Sequence, residues 1–520
     1  MIKTGETLKK GKWERAIVIG GGMAGLLSSR VLSDYYAEVL IIEKDDLPVK
    51  PDIRAGTPQA FHPHRFTPRG KMIMERFFTG FNDELLTCGA PSTQNKMIHQ
   101  TNQYGSLVMP NTENDATFSR ALLEWVCRQR VKGISNVQFL TKVDVIGLLM
   151  TSDQTVVTGV HVREREQLDQ QKTLMADLVI DTSGRSSKLG KWLQHLGFDV
   201  PNPDILKVSL GYSTRHYKIP SHLSVKWDVI RIAGDPSNKT LTGVFSIIEN
   251  NIAETVLYSL GGHYPTTNAA EYEREVAQLA DPLIAEVLQE LEPITAPRGY
   301  RVNELVRHHF EEMERWPSGL LVLGDAYCNF DPIFGQGITM AAIEAEMLES
   351  CLREQRNHPL PYFERNILQK VNEIVEPAWW LNCAADLPWQ GVTYAGKPLK
   401  GIEFAQKYFA LYIKHATAKR NFERYGLYWA VNTLLLPLNK IINSQMLAAI
   451  LASEETSSES KELHSELSMA SGQTLDEQLF QIIPTFPSTA YEYLNANNNE
   501  MNLGVKHHCT FKRRTAAANS

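Results

Sequence analysis

Apolar and polar positions follow two different rhythms along this chain. Residues 15–19 form a short apolar run that stops at Gly20, residues 24–32 space their apolar side chains as a helix does, and residues 37–42 are a second, partly β-branched run closed by Glu43. The pattern predicts strand, glycine turn, helix, strand, which is a βαβ unit. Further on, it predicts a helix over 118–131 opened by Ser119, one or two strands over 137–149, a half-buried strand over 156–163 and a buried strand over 177–180. Between 207 and 260 the rhythm shortens to near-alternation in four segments (208–217, 225–233, 241–248 and 253–260) separated by Pro, Gly, Asn and Ser. That texture predicts an antiparallel sheet inserted between the opening βαβ unit and the later strand and helices. Helical spacing resumes over 269–291, a buried strand is expected over 319–323, and a long helix over 337–353 leads into mostly helical sequence up to about 452.

Two glycine clusters punctuate this pattern. In the first, Gly20 allows a tight turn, Gly22 lets backbone approach a pyrophosphate, and Gly25 lets the helix sit close to the sheet, with Met23 and Ala24 between them. The helix start offers free N–H groups and a positive dipole end to phosphates. Glu43, about 20 residues on at a strand end, suits ribose hydroxyls. The second cluster, Gly324-Asp325-Ala326 followed by Pro332 and Gly335-Gln336-Gly337-Ile338, comes after the late strand. The carboxylate of Asp325 is suited to a ribityl hydroxyl. A helix opening at Gly335 would aim its positive end at a flavin pyrimidine and stabilise negative charge on the reduced ring. Together the clusters predict FAD held at both ends by distant parts of one chain.

Composition narrows the picture without redirecting it. With 520 residues, 43% hydrophobic and 22% charged, the chain suits roughly two to four globular domains. A net charge of −6 gives no electrostatic case for nucleic acid. Cys88, Cys127, Cys328, Cys351, Cys383 and Cys509 show no paired spacing and read as reduced thiols of a cytoplasmic protein, with no metal site expected. Residues 1–13 lack the apolar core of a secretory signal. No apolar run reaches the ~18–20 residues of a membrane span. The nearest approach, 425–439, is interrupted by Pro437, and reads as a helix packed on the core in preference to a peripheral membrane contact.

The chain resembles the para-hydroxybenzoate-hydroxylase-like (PHBH-like), or group A, flavoprotein monooxygenases, and within them the branch that includes the bacterial polyether epoxidases. The likeness runs over roughly 14–452. It rests on Arg54-Ala55-Gly56-Thr57-Pro58-Gln59, His62-Pro63-His64, Ser119-Arg120-Ala121-Leu122-Leu123-Glu124-Trp125, residues 176–185 ending in Asp181-Thr182-Ser183-Gly184-Arg185, Gly211-Tyr212-Ser213-Thr214-Arg215 and the late Gly-Asp motif. The resemblance implies FAD contacts at Gly20, Gly22, Gly25, Glu43, Lys44, Arg54, Arg120, Asp325 and the Gly335–Ile338 turn, with Asp181 and Gly184 matching the middle motif. It implies NADPH or NADH as reductant. It also implies O2 insertion into an apolar small molecule by hydroxylation or epoxidation, through a flavin C4a-hydroperoxide, in secondary metabolism. The chain departs from the branch at Phe61, where arginine is common, and in its Asp-Thr-Ser-Gly middle motif.

His62 and His64 stand as candidates near the flavin ring, or as structural histidines. Tyr212, Arg215 and Tyr217 are pocket-lining candidates, or ordinary cross-strand pairs. Trp379-Trp380 reads as core. The expected fold is α/β: a Rossmann-like FAD-binding domain of glutathione-reductase/PHBH type (14–205 with 300–355), an inserted antiparallel-sheet substrate domain (206–299), a C-terminal helical region (356–452) and a polar, disordered tail (453–520) with one short helix near 475–482. Alternatives are a reductase, dehydrogenase or cyclase that inserts no oxygen, a flavin-dependent halogenase, whose Trp-x-Trp-x-Ile-Pro motif is missing, and a silent binding protein like the Rab GDP-dissociation inhibitors, against which the intact Gly335–Gly337 turn argues.

Overall fold

The computed structural model describes residues 13–166, 170–453, 457–468 and 472–491. The opening apolar runs become Trp13–Ile19 and Tyr36–Glu43, flanking the helix Met23–Leu32. They lie in a five-stranded, all-parallel sheet with the order Leu320–Val322, Leu178–Asp181, Trp13–Ile19, Tyr36–Glu43, Val137–Thr141. Its central strands are buried on both faces, which is why they read as apolar runs without alternation. The helix Arg120–Lys132 starts where Ser119 accepts the Leu122 N–H at 3.1 Å.

The alternating region forms an eight-stranded, mostly antiparallel sheet. Leu210–Lys218, Ile252–Ser259, Thr242–Ile248 and Trp227–Ile232 lie side by side, with Arg298–Val302 and Glu292–Pro293 flanking the first. Two more strands, Lys96–Asn102 and Gly105–Asn111, join from well before residue 206. The sheet is therefore assembled from two separated stretches of chain. The helices Ala269–Ala277 and Leu283–Leu288 close its outer face over a core of Phe245, Tyr272 and Ile284.

From Gln336 on the described chain is mainly helical: Gln336–Asn357, Phe363–Asp386, Ile402–Ala418 and Phe422–Asn432. Trp379 and Trp380 are buried there, the latter against Phe409 and Phe486. The 425–439 stretch bends after Asn432 and buries Val431, Leu434 and Leu438. Among the described residues no helix is long and apolar enough to cross a membrane.

Ser444–Ser453 continues the helical region, and the short helix expected near 475–482 is present as Leu475–Ile482. The expectation of disorder is corrected over Ser458–Ser468, which is also a helix; it buries Leu463 and Leu467, and Leu475–Ile482 buries Leu479. Sparse leucines at helical spacing suffice to dock these polar helices on the core. The rest of the tail, 492–520, lies outside the described residues.

Candidate cofactor and substrate site

The first glycine turn is shaped by what each missing side chain would strike. Gly20 has φ 103°, and a Cβ on it would lie 2.7 Å from the Thr182 carbonyl oxygen. A Cβ on Gly25 would lie 1.9 Å from the Gly20 carbonyl oxygen and 2.9 Å from Thr182 Oγ1. These two glycines let the chain pack on itself. Gly22, at the start of the Met23–Leu32 helix, faces open space, with Arg54 Nη2 at 4.0 Å the nearest group. Ala24 touches the second cluster, since a Cβ on Gly324 would lie 2.8 Å from its methyl group. Met23 is buried in the core. The two glycine clusters therefore meet.

Beside this turn lies a buried array of three arginines and three carboxylates. Glu43 accepts the Gly21 N–H at 2.8 Å and the Asp45 N–H at 3.0 Å. Arg54 pairs with Asp45 at 2.7 Å, Glu124 at 2.8 Å and Glu43 at 3.4 Å. Arg120 and Arg128 also reach Glu124, at 2.8 and 3.4 Å. Burial works against the Arg54 charge, but Glu124 and Glu43 outweigh it and hold the guanidinium above its ordinary value. Glu124 is held low by Arg120 and Arg54, again against burial. Arg120 Nη1 is buried without a hydrogen-bond partner among the described residues. Lys44 is 3.3 Å from Ser186 and borders an open cleft of about 450 Å³ lined also by Asp45, Arg54, Lys142 and Arg165.

The middle motif turns inward. Asp181 is fully buried and accepts the Ser183 N–H at 2.9 Å and the Ser187 hydroxyl at 2.6 Å, while burial raises its pKa. Its carboxylate braces the loop, and Gly184 (φ 72°) brings that loop to Asp325. Asp325 is half-buried and makes no hydrogen bond with any described residue, and a Cβ on Gly337 would lie 3.9 Å from its Oδ1. Desolvation raises its pKa, with Arg185 and Arg120 opposing. Behind it, Glu344 accepts the Gly324 N–H at 2.6 Å and is pushed up to about 8 by burial.

Pro332 starts a single 3-10 turn that ends at Gly335 (φ 65°), where the Gln336–Asn357 helix begins. Gln336 points into the core, donating to the Asn432 carbonyl at 2.6 Å and accepting from Asn382 at 2.6 Å. Only backbone is left to face a ligand at this residue. Ile338 is half-buried against the core.

His62 and His64 lie between this helix start and the large sheet, for a Cβ on Gly335 would lie 3.2 Å from the carbonyl oxygen of neighbouring Arg65. His62 Nδ1 is 2.8 Å from Thr214 Oγ1, and its ring meets Tyr212 edge-on at 4.6 Å. Burial takes His62 down to about 3 and His64 to about 4, so both are neutral at physiological pH. His216, stacked on Phe61 at 4.1 Å, falls to about 4 for the same reason.

Arg215 is not part of this group. It pairs with Glu273 at 2.5 Å and donates to the Thr295 carbonyl at 2.9 Å on the opposite sheet face, where Tyr217 also binds Glu273. Strand period two separates Tyr212, Thr214 and His216 from Arg215 and Tyr217, a signal present in the sequence. Sequence reasoning also missed His216, Tyr300, which stacks on Tyr212 at 5.5 Å, and the buried Glu254. Among the described residues, His309, Glu311 and Glu312 lie close enough to share a cation. Lys397 already pairs with Glu312, however, and Asp204 is 3.2 Å from His309.

No protein-family model matches the chain. Protein Rv3254 of Mycobacterium tuberculosis (strain ATCC 25618 / H37Rv) is 26% identical over 405 residues, 73% of this chain and 81% of that protein. The flavin-dependent brominase Bmp2 superposes with a TM-score of 0.59 at 12% identity, over 85% of this chain and 98% of that one. A flavoprotein/dehydrogenase from Cytophaga hutchinsonii gives 0.57 at 14% identity, over 83% and 96%. PqsL, a probable FAD-dependent monooxygenase from Pseudomonas aeruginosa, gives 0.51 at 14%, over 79% and 98%. These likenesses establish the fold: a Rossmann-type FAD-binding α/β framework with an additional sheet and C-terminal helices.

Proposed function

We propose that this chain is an FAD-dependent monooxygenase that uses NAD(P)H and O2 to hydroxylate or epoxidise an apolar small molecule. The observation that carries this reading is Asp325, a half-buried carboxylate without a hydrogen-bond partner among the described residues, set where the two glycine clusters meet. Its neighbours fit the rest of the cofactor. The open side of Gly22, the Met23–Leu32 helix start and the free Arg120 Nη1 suit a pyrophosphate, and Glu43 suits the adenosine ribose. Asp325 suits the ribityl chain, and the start of the Gln336–Asn357 helix suits the pyrimidine edge.

Bound FAD would supply the redox chemistry, taking two electrons from NAD(P)H and passing them to O2, so that one oxygen atom enters the substrate and the other leaves as water. The chain would bind, orient and exclude water. His62, His64 and His216, all neutral, form a dry wall that puts no competing positive charge beside the cofactor. The quoted motifs support a place near the polyether-epoxidase branch. The five described cysteines, all free, are in keeping with a cytoplasmic setting.

Purified protein should carry flavin absorbance, and NAD(P)H oxidation should be stimulated by some member of a panel of phenols, polyenes and terpenoids. Oxygen-18 from O2 should appear in the product. Asp325→Ala should weaken FAD binding by roughly 10-fold or more while leaving the melting temperature within about 2 °C, since only a ligand contact is lost. Full flavin retention by that variant would remove the assignment, and label-free product would leave a reductase or dehydrogenase.

A further inference from the structure

Two fully buried carboxyls lie behind the turn that opens the late helix. Asp331 precedes Pro332, and Asp386 ends the helix Phe363–Asp386. Asp331 Oδ2 and both side-chain oxygens of Asp386 find no donor among the described residues, yet the two carboxyl groups are within hydrogen-bond reach of each other. Asp325 also lacks a partner, but it is only half-buried. Elsewhere around the site enclosed carboxyls are supplied with donors: Asp181 by Ser183 and Ser187, Glu344 by the Gly324 N–H.

Two carboxylates in contact and out of water repel, and one proton between them removes the repulsion and provides the missing donor. The fold decides which group carries it. Asp331 caps the start of its turn, where Oδ1 accepts the Ile333 N–H at 2.9 Å and Arg185 favours its charge. Asp386 stands at the C-terminal end of a helix, where the last carbonyls disfavour an anion. Burial raises the pKa of both, and at Asp386 the Asp331 charge raises it further. The proton therefore sits on Asp386, whose O–H donates to Asp331 Oδ2. Burial, reinforced by these charges, also raises the Tyr212 phenol on the large sheet and the Cys383 thiol on the helix of Asp386, so both stay neutral.

The same helix grips the turn at two more points. Asn382, about 6 Å before Asp386 along the axis, accepts the Asp331 N–H at 2.7 Å and donates to Gln336 Oε1 at 2.6 Å. Residues on both sides of Pro332–Gly335 are thus tied to one helix. We propose that the bond from Asp386 to Asp331 is a proton-dependent clamp that positions this turn against the pyrimidine edge of the flavin. The positioning role rests on the functional reading above, whereas the shared proton can be measured without cofactor.

Infrared difference spectra of the full-length protein against Asp386→Asn at pH 7 should show the carbonyl band of a protonated carboxylic acid that the variant lacks. Asparagine keeps a donor to Asp331 and has no proton to lose. Because the folded pKa of Asp386 is raised, the stability tied to its proton is complete below its ordinary value of 3.8 and is lost as pH rises toward the folded one. The melting temperature of Asp386→Asn should therefore gain on the parent's by roughly 2 °C or more between pH 5 and pH 8. Asp386→Ala, which removes the donor, should weaken FAD binding by roughly 10-fold, while Asp386→Asn stays within about 3-fold of the parent. Asp386→Ser, too short to reach Asp331, decides that comparison if Asp386→Ala does not fold. A missing acid band or a melting gap constant with pH would overturn the proposal, because both carboxyls would then be ionised. Full FAD retention by the shortened variant would overturn it as well, with the functional reading intact. A parent protein that shows the band and the widening gap but binds no FAD would lose the functional reading and, with it, the clamp's purpose, leaving the shared proton.

Discussion

The two sides of the proposed site, the parallel sheet and the antiparallel sheet, manage buried charge in different ways. Beside the parallel sheet, charge is matched by charge: Arg54, Arg120 and Arg128 interlock with Glu43, Asp45 and Glu124. On the antiparallel sheet and the loop against it, three histidines and a carboxyl are instead buried as neutral species. His62, His64 and His216 have shed their protons, and Glu254 keeps its own because burial pushes it up to about 8. The first side is rigid and polar, suited to a fixed charged ligand. The second holds its histidines and Glu254 uncharged, suited to a less polar ligand.

The largest effect expected is on the first side. Gly25→Ala would force a methyl group to within 1.9 Å of the Gly20 carbonyl, against backbone that the parallel sheet holds in place. No rotamer change relieves a Cβ clash with main chain. The variant should lose about 3 kcal/mol or more, enough to leave little folded protein. A thermal melt indistinguishable from that of the unaltered protein would show that this turn is softer than the geometry implies.

The second side should respond to pH, through Glu254. It is buried, accepts the Ser246 hydroxyl at 3.0 Å and lies 4.0 Å from His216, with Glu249 raising its pKa further and Arg65 opposing. Its ordinary value is 4.5 and its folded value about 8, so the folded state keeps a proton that the unfolded state gives up between them. The stabilisation is complete below about pH 4.5 and is lost as pH rises through about 8. Glu254→Gln is permanently neutral and can still accept from Ser246. It should match the parent protein near pH 5 and exceed its stability by on the order of 2 kcal/mol at pH 8. Comparing the two melts at each pH cancels the contribution of Glu344, which titrates in the same range. A constant difference across pH would mean that Glu254 is ionised in the folded protein.

The contrast between the sides also explains what could be read ahead of the structure. The glycine turn, the strand ending at Glu43, the Ser119 cap and the late Gly-Asp turn are local devices, each specified within a few residues, and the structure has these elements where the pattern predicts them. The sheet is less local. Lys96–Asn102 pairs in parallel with Trp227–Ile232 across a long stretch of chain, and nothing near either segment specifies that partner. Glu254 in an alternating strand looks like any solvent-facing carboxylate until helices and the His62 loop cover its face. Arg215 is close to Tyr212 in sequence, but strand alternation alone sets the two on opposite faces. In the polar tail, composition hides the spacing of Leu463 and Leu467, which docks the helix Ser458–Ser468 on the core, whereas the apolar spacing of Leu475–Ile482 is legible.

The smallest effect expected sharpens the comparison most. Gly22 and Gly25 belong to one motif and look alike in sequence, yet only Gly25 is crowded by the protein itself. Gly22 has φ −77° and ψ −173°, a backbone that alanine adopts without strain, and a Cβ there meets nothing closer than Arg54 Nη2 at 4.0 Å. Gly22→Ala should therefore melt within about 1 °C of the parent when free of cofactor, or slightly above it, because alanine restricts the unfolded chain. Its FAD affinity should fall by roughly 10-fold, since the added methyl occupies the space through which backbone N–H groups would approach the pyrophosphate. Fluorescence titration of the flavin-free protein with FAD, alongside the melt, reads both quantities. Unchanged affinity would mean that the open side of Gly22 faces away from the phosphates, and the cofactor's path across the first side would have to be redrawn along Arg120 and Lys44. A lowered melting temperature without cofactor would instead put Gly22 with Gly20 and Gly25 among the glycines the chain needs for its own packing.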